Sequence, residues 1–280
     1  MKKCYLCDGE LVETDYKLRD SNKIKVLKCK KCALETLSDF SHIDETFYEN
    51  GLMLNPNIKP EQWYIKSKDD DVRRFNKLKK FLKNKKVLDF GCGAGGFIEL
   101  ASSISDAFGI EKNKIMTDYI KSKNLKVYSD ISEVENQKFD VITMFHVLEH
   151  IKNPQNILDE LKNILNKNGK IIIEVPNTSD ALLSLYDCKS FSDFTHWSCH
   201  LWGFNDKNLK ALLKGFGFKK IRIKKIQRYN FLNHIRWIFY HQPNGHKTFN
   251  KYYSFIADCL YVLFLKLTSK TDTIVAICEK

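Results

Sequence analysis

The sequence predicts an α/β protein, a parallel sheet with helices on both faces and a small cysteine-knuckled module in front. Three observations predict it. Apolar strand patterns alternate with helical ones from residue 87 to residue 177, the β-α-β-α-β order that gives a parallel sheet covered on both sides. The first strand runs directly into Gly91-Cys92-Gly93-Ala94-Gly95-Gly96, where alternating glycines let the backbone turn tightly and something lie against it. Finally, Cys4-x-x-Cys7 and Cys29-x-x-Cys32 stand 21 residues apart, a spacing that suits two metal knuckles better than a disulfide framework.

In chain order, Leu11-Val12-Glu13-Thr14 and Ile24–Lys28 alternate like two short strands between the cysteine pairs. Residues 1–40 therefore read as a zinc ribbon with Cys4, Cys7, Cys29 and Cys32 as ligands of a structural Zn2+ that has no open position. So short a segment has no core of its own, so the ion's task is to fold it. Residues 41–85 read as a connection and helical cap. Asn50-Gly51, Asn55-Pro56 and Lys59-Pro60 interrupt any period, and a helix is expected from about Ser67, with Val72, Phe75, Leu78, Phe81 and Leu82 on one side.

Residues 86–280 read as the main domain. Its second strand, Ala107–Ile110, ends in Glu111, 22 positions after Asp89, where a Rossmann-like sheet sets a carboxylate against ribose hydroxyls. A third strand, Leu125–Tyr128, leads to Asp130 and Ile131. The fourth, within Phe139–Phe145, is a buried parallel strand by its apolar run. It delivers His146 to His150 to the sheet's carboxyl edge, where open α/β sheets bind ligands. Asn153-Pro154 caps and starts a helix that Asn168-Gly169 is expected to close. Lys170–Asn177 is the fifth strand, and Asn177 to Asn205 a long aromatic-rich connection. A helix from Asn205-Asp206, a sixth strand Lys219–Ile226, an insertion over 227–270 and a last strand Asp272–Glu279 complete the chain.

From Val87-Leu88-Asp89-Phe90-Gly91-Cys92-Gly93 onward the chain resembles the class I S-adenosyl-L-methionine (SAM) methyltransferases; Asp89 before the first glycine would be awkward beside the pyrophosphate of a dinucleotide. Phe145-His146-Val147-Leu148-Glu149-His150 looks like the fourth-strand motif of small-molecule methyltransferases. The ribbon and the insertion together look like those of zinc-ribbon-headed methyltransferases from bacterial surface-polysaccharide (capsule or lipopolysaccharide) pathways, which extends the resemblance over nearly the whole chain. It implies strand order 3-2-1-4-5-7-6 with the last strand antiparallel. It also implies a cofactor-binding set of Asp89, Gly91, Cys92, Gly93, Gly95, Glu111, Asp130, Ile131, Met144 and Phe145, with Glu111 on the ribose and Asp130 on the adenine amino group. The segment before the first strand would cover the methionine end, with Tyr64, Arg73 and Arg74 as candidates for its carboxylate.

The expected reaction is O-methylation of a sugar or nucleotide-linked sugar. A sugar hydroxyl needs a base, and His146, His150, His196 and His200 are placed to supply one. His196 or His200 is favoured, with Glu149 available to orient a histidine, and Trp197 and Trp202 as a sugar-stacking floor or, alternatively, as lid packing. Alternatives are N-methylation of an aminosugar or small amine, a zinc-ribbon RNA methyltransferase, and a non-catalytic module that retains SAM binding.

The net charge of +12 raises nucleic acid as a partner, but only six of the 46 basic residues are arginine, the preferred reader of phosphates. The acceptor is therefore expected to be a small molecule or glycan. The start Met1-Lys2-Lys3-Cys4 lacks a secretory core and no uncharged run reaches membrane-spanning length, so a cytoplasmic location is expected. Tyr252–Leu265, interrupted by Asp258, reads as a buried or interface helix. The insertion around it is expected to shape the acceptor pocket or a contact in a homo-oligomer.

Overall fold

A computed structural model of the chain describes residues 2–44, 47–49 and 59–280; the expected breaks at Asn50-Gly51 and Asn55-Pro56 lie outside them. In the first forty residues, β1 (Leu11–Glu13), β2 (Val26–Cys29) and β3 (Glu35–Leu37) form an antiparallel sheet. Then follow α1 (Pro60–Leu82), β4 (Lys86–Phe90), α2 (Gly96–Ala101), β5 (Asp106–Ile110), α3 (Lys114–Ser122), β6 (Lys126–Tyr128), β7 (Phe139–Phe145), α4 (Pro154–Ile164) and β8 (Leu165–Pro176). The chain continues with α5 (Ala181–Ser184), α6 (Lys189–Thr195), β9 (Trp202–Gly203), α7 (Asp206–Gly215), β10 (Lys219–Ile226), α8 (Phe231–Tyr240), α9 (Gly245–Thr248), α10 (Phe255–Leu267) and β11 (Thr273–Glu279).

The main sheet has the order β10-β11-β8-β7-β4-β5-β6. With its strands numbered along the chain this is 3-2-1-4-5-7-6, and β11 runs antiparallel to both neighbours. The central strands are apolar runs because both faces are covered: Val87, Leu88, Ile171, Ile172 and Ile173 are all fully buried. Leu78 and Leu82 of α1 pack with Val87, Phe97 and Ala107 on one face. On the other, Leu158 and Leu161 of α4 join Leu209, Leu212 and Leu213 of α7. The open edge strand β10 carries Lys219, Lys220, Lys224 and Lys225, charges that discourage further strand pairing.

Four expectations need correction. The helix α1 begins at Pro60, well before Ser67: proline lacks only an N–H that the first turn leaves unbonded anyway, and the Lys59 N–H is accepted by the Gln62 side chain at 3.1 Å. Helix α4 ends at Ile164, before Asn168-Gly169, because Leu165 already pairs with Phe139; the register then shifts until Lys170 pairs with Val141. The 177–205 connection holds α5, α6 and β9, and β9 pairs with β3 through Thr36 and Trp202. The ribbon sheet is thus completed by a strand from the main domain. Val26, Leu34 and Leu37 share one core with Leu148, Leu201 and Phe204.

The fourth correction concerns α10: of the two expectations, a buried or an interface helix, it is not the buried one. Leu265 is its one buried residue, while Phe255, Ile256, Leu260 and Leu267 are each well over half exposed. Among the described residues no helix is long and apolar enough to cross a membrane.

Candidate active site

The glycine turn after β4 is held from below. Gly91 and Cys92 donate their N–H groups to the Ile110 carbonyl at 2.8 and 3.0 Å, and Thr143 donates to Asp89 at 2.6 Å. Burial pushes the Asp89 carboxyl up to about 7. Gly91, Gly93 and Gly95 all have positive φ, the left-handed region that a Cβ disfavours. A Cβ on Gly91 would lie 2.5 Å from Val147, and one on Gly93 3.1 Å from the Trp63 indole nitrogen. The turn therefore lies between α1 and the segment that follows β7.

Glu111 sits beside this turn. Its two oxygens accept from Gly93 N and Asn113 N, both at 2.9 Å, and burial pushes its carboxyl upward. A carboxylate has about four acceptor positions, so both oxygens retain lone pairs for a diol. Asp130 is half exposed and caps the turn Ile131–Val134 by accepting from Ser132 N at 3.0 Å; Ile131 packs on the core. Cys92 is buried in apolar packing with Ile98, Ile120 and Val127.

Met144 and Phe145 depart from expectation as side chains. Met144 is wholly inside the core, leaving only its backbone to meet a ligand. The Phe145 ring is met edge-on by Phe97 at 4.8 Å and covered by the Arg74 guanidinium at 4.7 Å.

Helix α1 covers the turn, but its arginines are not free for a ligand carboxylate. Arg73 donates to Asp70 and Glu174, and Arg74 to Asp71 and Glu174, at 2.8–3.1 Å. Tyr64 lies under the Lys123 ammonium, 3.6 Å from its ring centre. Burial opposes charge on Glu174, yet Arg74, His146 and Arg73 hold its carboxyl well below the usual range. Arg228 joins this cluster through Asp70 at 3.3 Å and Asp272 at 3.7 Å. Glu174, Asp70, Asp71, Arg228 and Asp272 were not singled out from the sequence. One signal was available, a lone acid inside Ile171-Ile172-Ile173-Glu174-Val175.

The four histidines separate by environment. His146 has φ +56°, which turns its side chain into the charged cluster: Nδ1 is 3.2 Å from Glu149, and Nε2 is 3.4 Å from Glu174 and 3.5 Å from Arg228. Burial pulls this imidazole down, but hydrogen bonds to Glu149 and Glu174 outweigh it, and the net shift is upward. His150 donates from Nδ1 to the Cys199 carbonyl at 2.8 Å. Burial drives His200 down to about 3, which makes it a poor proton acceptor at neutral pH. His196 donates from Nδ1 to the Ser192 carbonyl at 2.8 Å, stacks on Tyr16 and faces Glu35 at 3.5 Å.

His196, His200, Trp197 and Trp202 do line one cavity, between the ribbon and the end of β8, of about 50 Å3. Ligand pockets are several times larger, so this space is not a ready-made sugar site. Trp202 is buried, donates to the Ile151 carbonyl at 2.8 Å, and is flanked by Tyr5 and Phe40. It is packing, not a stacking floor. Trp197 is covered by the Arg19 guanidinium at 4.0 Å. Arg19 and Asp20 of the ribbon, and His42 just after it, each bond to the 194–198 segment, so the ribbon and the start of the connection hold the histidine-bearing loop in place.

Within the ribbon the two knuckles repeat one geometry. Asp8 N bonds to Cys4 O and Ala33 N to Cys29 O; Cys4 N bonds to Gly9 O and Cys29 N to Leu34 O. Asp8 and Ala33 both have φ near +55°. The sulfurs of Cys4 and Cys32 are 3.6 Å apart and those of Cys7 and Cys29 3.5 Å, close to the roughly 3.8 Å edge of a tetrahedron with metal–sulfur bonds of about 2.3 Å. A Cβ on Gly9 would come within 2.9 Å of the Cys29 sulfur.

A family described as a methyltransferase domain matches residues 64–223, more than half of the chain, from the cap helix to β10. The chain belongs to that family. This methyltransferase is 24% identical over 165 residues to an uncharacterized protein of Methanocaldococcus jannaschii, covering 58% of this chain and 78% of that one. It is 32% identical over 108 residues to a ubiquinone biosynthesis O-methyltransferase of Glaesserella parasuis, a match covering 33% of this chain and only 46% of that enzyme. A SAM-dependent methyltransferase structure from Archaeoglobus fulgidus shares the fold, with TM-score 0.51, 20% identity, and coverage of 85% of this chain and all of that one. The chain is thus an enzyme of the methyltransferase family.

Proposed function

We propose that this methyltransferase transfers a methyl group to a hydroxyl oxygen of a small acceptor, a sugar or nucleotide-linked sugar of surface-polysaccharide synthesis being the class to test first. When bound, SAM supplies a sulfonium methyl that an in-line nucleophile can displace. Glu111 would accept the ribose hydroxyls, Gly91, Gly93 and Gly95 would leave room for the backbone to approach, and Asp130 and Ile131 would border the adenine. The observation that carries the choice of oxygen is His146. It stands at the carboxyl end of β7 with its ring fixed by Glu149 and its proton affinity raised by two carboxylates, while Val147 beside it packs on Gly91. With Nδ1 held by Glu149, Nε2 would have to exchange Glu174 and Arg228 for the acceptor to take a hydroxyl proton as general base; a neutral amine acceptor would need it less. This moves the role of base from His196 and His200, where it was first expected, to His146.

The ribbon, residues 1–40, is proposed to hold a structural Zn2+ on Cys4, Cys7, Cys29 and Cys32. The sulfur spacing and the duplicated knuckle support it, as does the absence of a separate ribbon core. Its contribution would be to fix the 194–200 loop that walls the acceptor side. A cytoplasmic site of action follows from an acceptor of this kind.

The test is incubation of the purified protein with methyl-labelled SAM and a panel of sugar nucleotides, phenols, amines and RNA. Label on a hydroxyl of a small molecule, lost in His146→Gln, is the expected result. Label only on amines, with His146→Gln unimpaired, or only on RNA with steep salt dependence, would replace this reading.

A further inference from the structure

Two turns of chain, distant in sequence, bring Glu149, His150 and His200 together at the acceptor side, with one potential ligand atom from each lying within 4.8 Å of the others. Three details of their bonding are left incomplete by the protein itself. Glu149 is 1% exposed; one of its oxygens faces His146, and the other, Oε2, has no hydrogen-bond partner. A buried carboxylate oxygen without a donor is costly. His150 is fixed by the Cys199 carbonyl at 2.8 Å. A carbonyl can only accept, so Nδ1 carries the ring proton and Nε2 keeps its lone pair. Among the described residues neither ring nitrogen of His200 has a hydrogen-bond partner, and its ring meets that of His150 at 66°, 4.9 Å between centres, rather than stacking.

We propose that Glu149, His150 and His200 bind a divalent first-row cation. An imidazole held by a carbonyl through its other nitrogen is the usual posture of a metal-ligating histidine. A cation about 2.0–2.2 Å from each ligand requires the three atoms to close to roughly 4 Å or less, a side-chain adjustment of under about 1 Å. Two imidazoles and one carboxylate suit Mn2+, Fe2+ or Zn2+, and three protein ligands leave positions open. The four-cysteine site is the opposite, soft and closed. His200 also lines the cavity beneath the ribbon, which gives the open positions a space to face. On the methyl-transfer reading, an acceptor hydroxyl that reached the cation once this space of about 50 Å3 widened would become more acidic. Its proton would pass to His146, and the oxygen–carbon bond would form as the carbon–sulfur bond breaks, releasing a neutral thioether. This role rests on that reading; the binding does not.

Mn2+ separates the two sites, since it favours oxygen and nitrogen over thiolates. The full chain, with its zinc content measured, is titrated with Mn2+ and the free ion followed by electron paramagnetic resonance, while calorimetry with S-adenosylhomocysteine reports the cofactor cradle. One Mn2+ per chain is expected, with affinity reduced about tenfold or more in His200→Ala and in the isosteric Glu149→Gln, both still binding S-adenosylhomocysteine; Glu149→Gln carries the test if His200→Ala does not fold. No bound Mn2+ in wild-type protein, or equal binding in a folded variant, overturns the proposal. Mn2+ bound without any S-adenosylhomocysteine binding would instead overturn the methyl-transfer reading and leave this one standing.

Discussion

The two ends of the sheet's carboxyl edge are built differently. On the β4–β5 side, the glycine turn and Glu111 are joined by short bonds between segments about twenty residues apart, Gly93 N to Glu111 among them. On the β7–β8 side, the ribbon, α1, the turn after β7, the end of β8, the 194–200 loop and Arg228 converge, with partners such as Arg73 and Glu174 separated by 101 residues. The first arrangement is fixed by backbone geometry. The second holds paired charged side chains, with Glu174, despite its burial, held well below the usual range by Arg74, His146 and Arg73, and it depends on every contributing segment being docked. The difference suggests that the donor side tolerates changes elsewhere in the chain and the acceptor side does not.

Replacing a ribbon cysteine, Cys29→Ser, is the strongest way to break this comparison. Structural zinc contributes folding free energy outright, on the order of 10 kcal/mol in isolated fingers. Loss of one zinc per chain by metal analysis, a large drop in melting temperature and near-complete loss of turnover are expected. S-adenosylhomocysteine affinity should stay within a few fold in whatever fraction remains folded. Equal loss of both functions would show the two sides to be one cooperative unit.

The converse change is Glu111→Ala, which should weaken S-adenosylhomocysteine binding roughly 10²–10⁴-fold, since two hydrogen bonds to a charged acceptor are worth about 1.5–3 kcal/mol each. Calorimetry measures this, and unchanged affinity would remove Glu111 from the ribose. On the acceptor side, His146→Gln is expected to lower kcat by about 10²–10⁴ for a hydroxyl acceptor with cofactor affinity unchanged. A fall in cofactor affinity instead would make His146 part of the donor cradle.

The smallest effect concerns pH. Asp180, at the end of the β8 connection, is fully buried and its carboxyl is pushed up to about 8, by burial first and by Asp272 second. The folded chain therefore keeps a proton that the unfolded chain releases near its ordinary value, 3.8. Its stabilising contribution is complete below about pH 4 and is lost as pH rises toward about 8. Asp180→Asn preserves an acceptor for Leu182 N and should flatten this dependence, so its melting temperature should exceed that of the wild type increasingly from acid to alkaline pH. Parallel pH profiles for the two proteins would exclude Asp180 as the source.

The order of strands was legible because buried parallel strands are written as apolar runs, and the resemblance at Asp89 to Gly96 supplied their arrangement. The cysteine knuckles were legible because each is a local turn of four residues. Where expectations failed, a distant partner decided. Trp202 looked available for a sugar until β9 paired with β3 and Tyr5 and Phe40 closed on it. Arg73 and Arg74 looked free for a ligand until Glu174 reached them from β8. Helix α10 was expected to be buried or to form an interface, and its exposed apolar face removes only the first, since hydrophobicity alone does not say what covers a helix.

By itself, the sequence determined what its short-range chemistry can enforce: the glycine turn, the acid at the end of the second strand, the paired thiols and the alternation that yields a parallel sheet. Tertiary structure alone decided which histidine gained two carboxylates, which lost its proton affinity to burial, and which tryptophan was spent on packing. The physical reason is range. Backbone conformation is set by neighbours in the chain, whereas the proton affinity and accessibility of a side chain are set by whichever charges and surfaces the fold brings within a few ångströms.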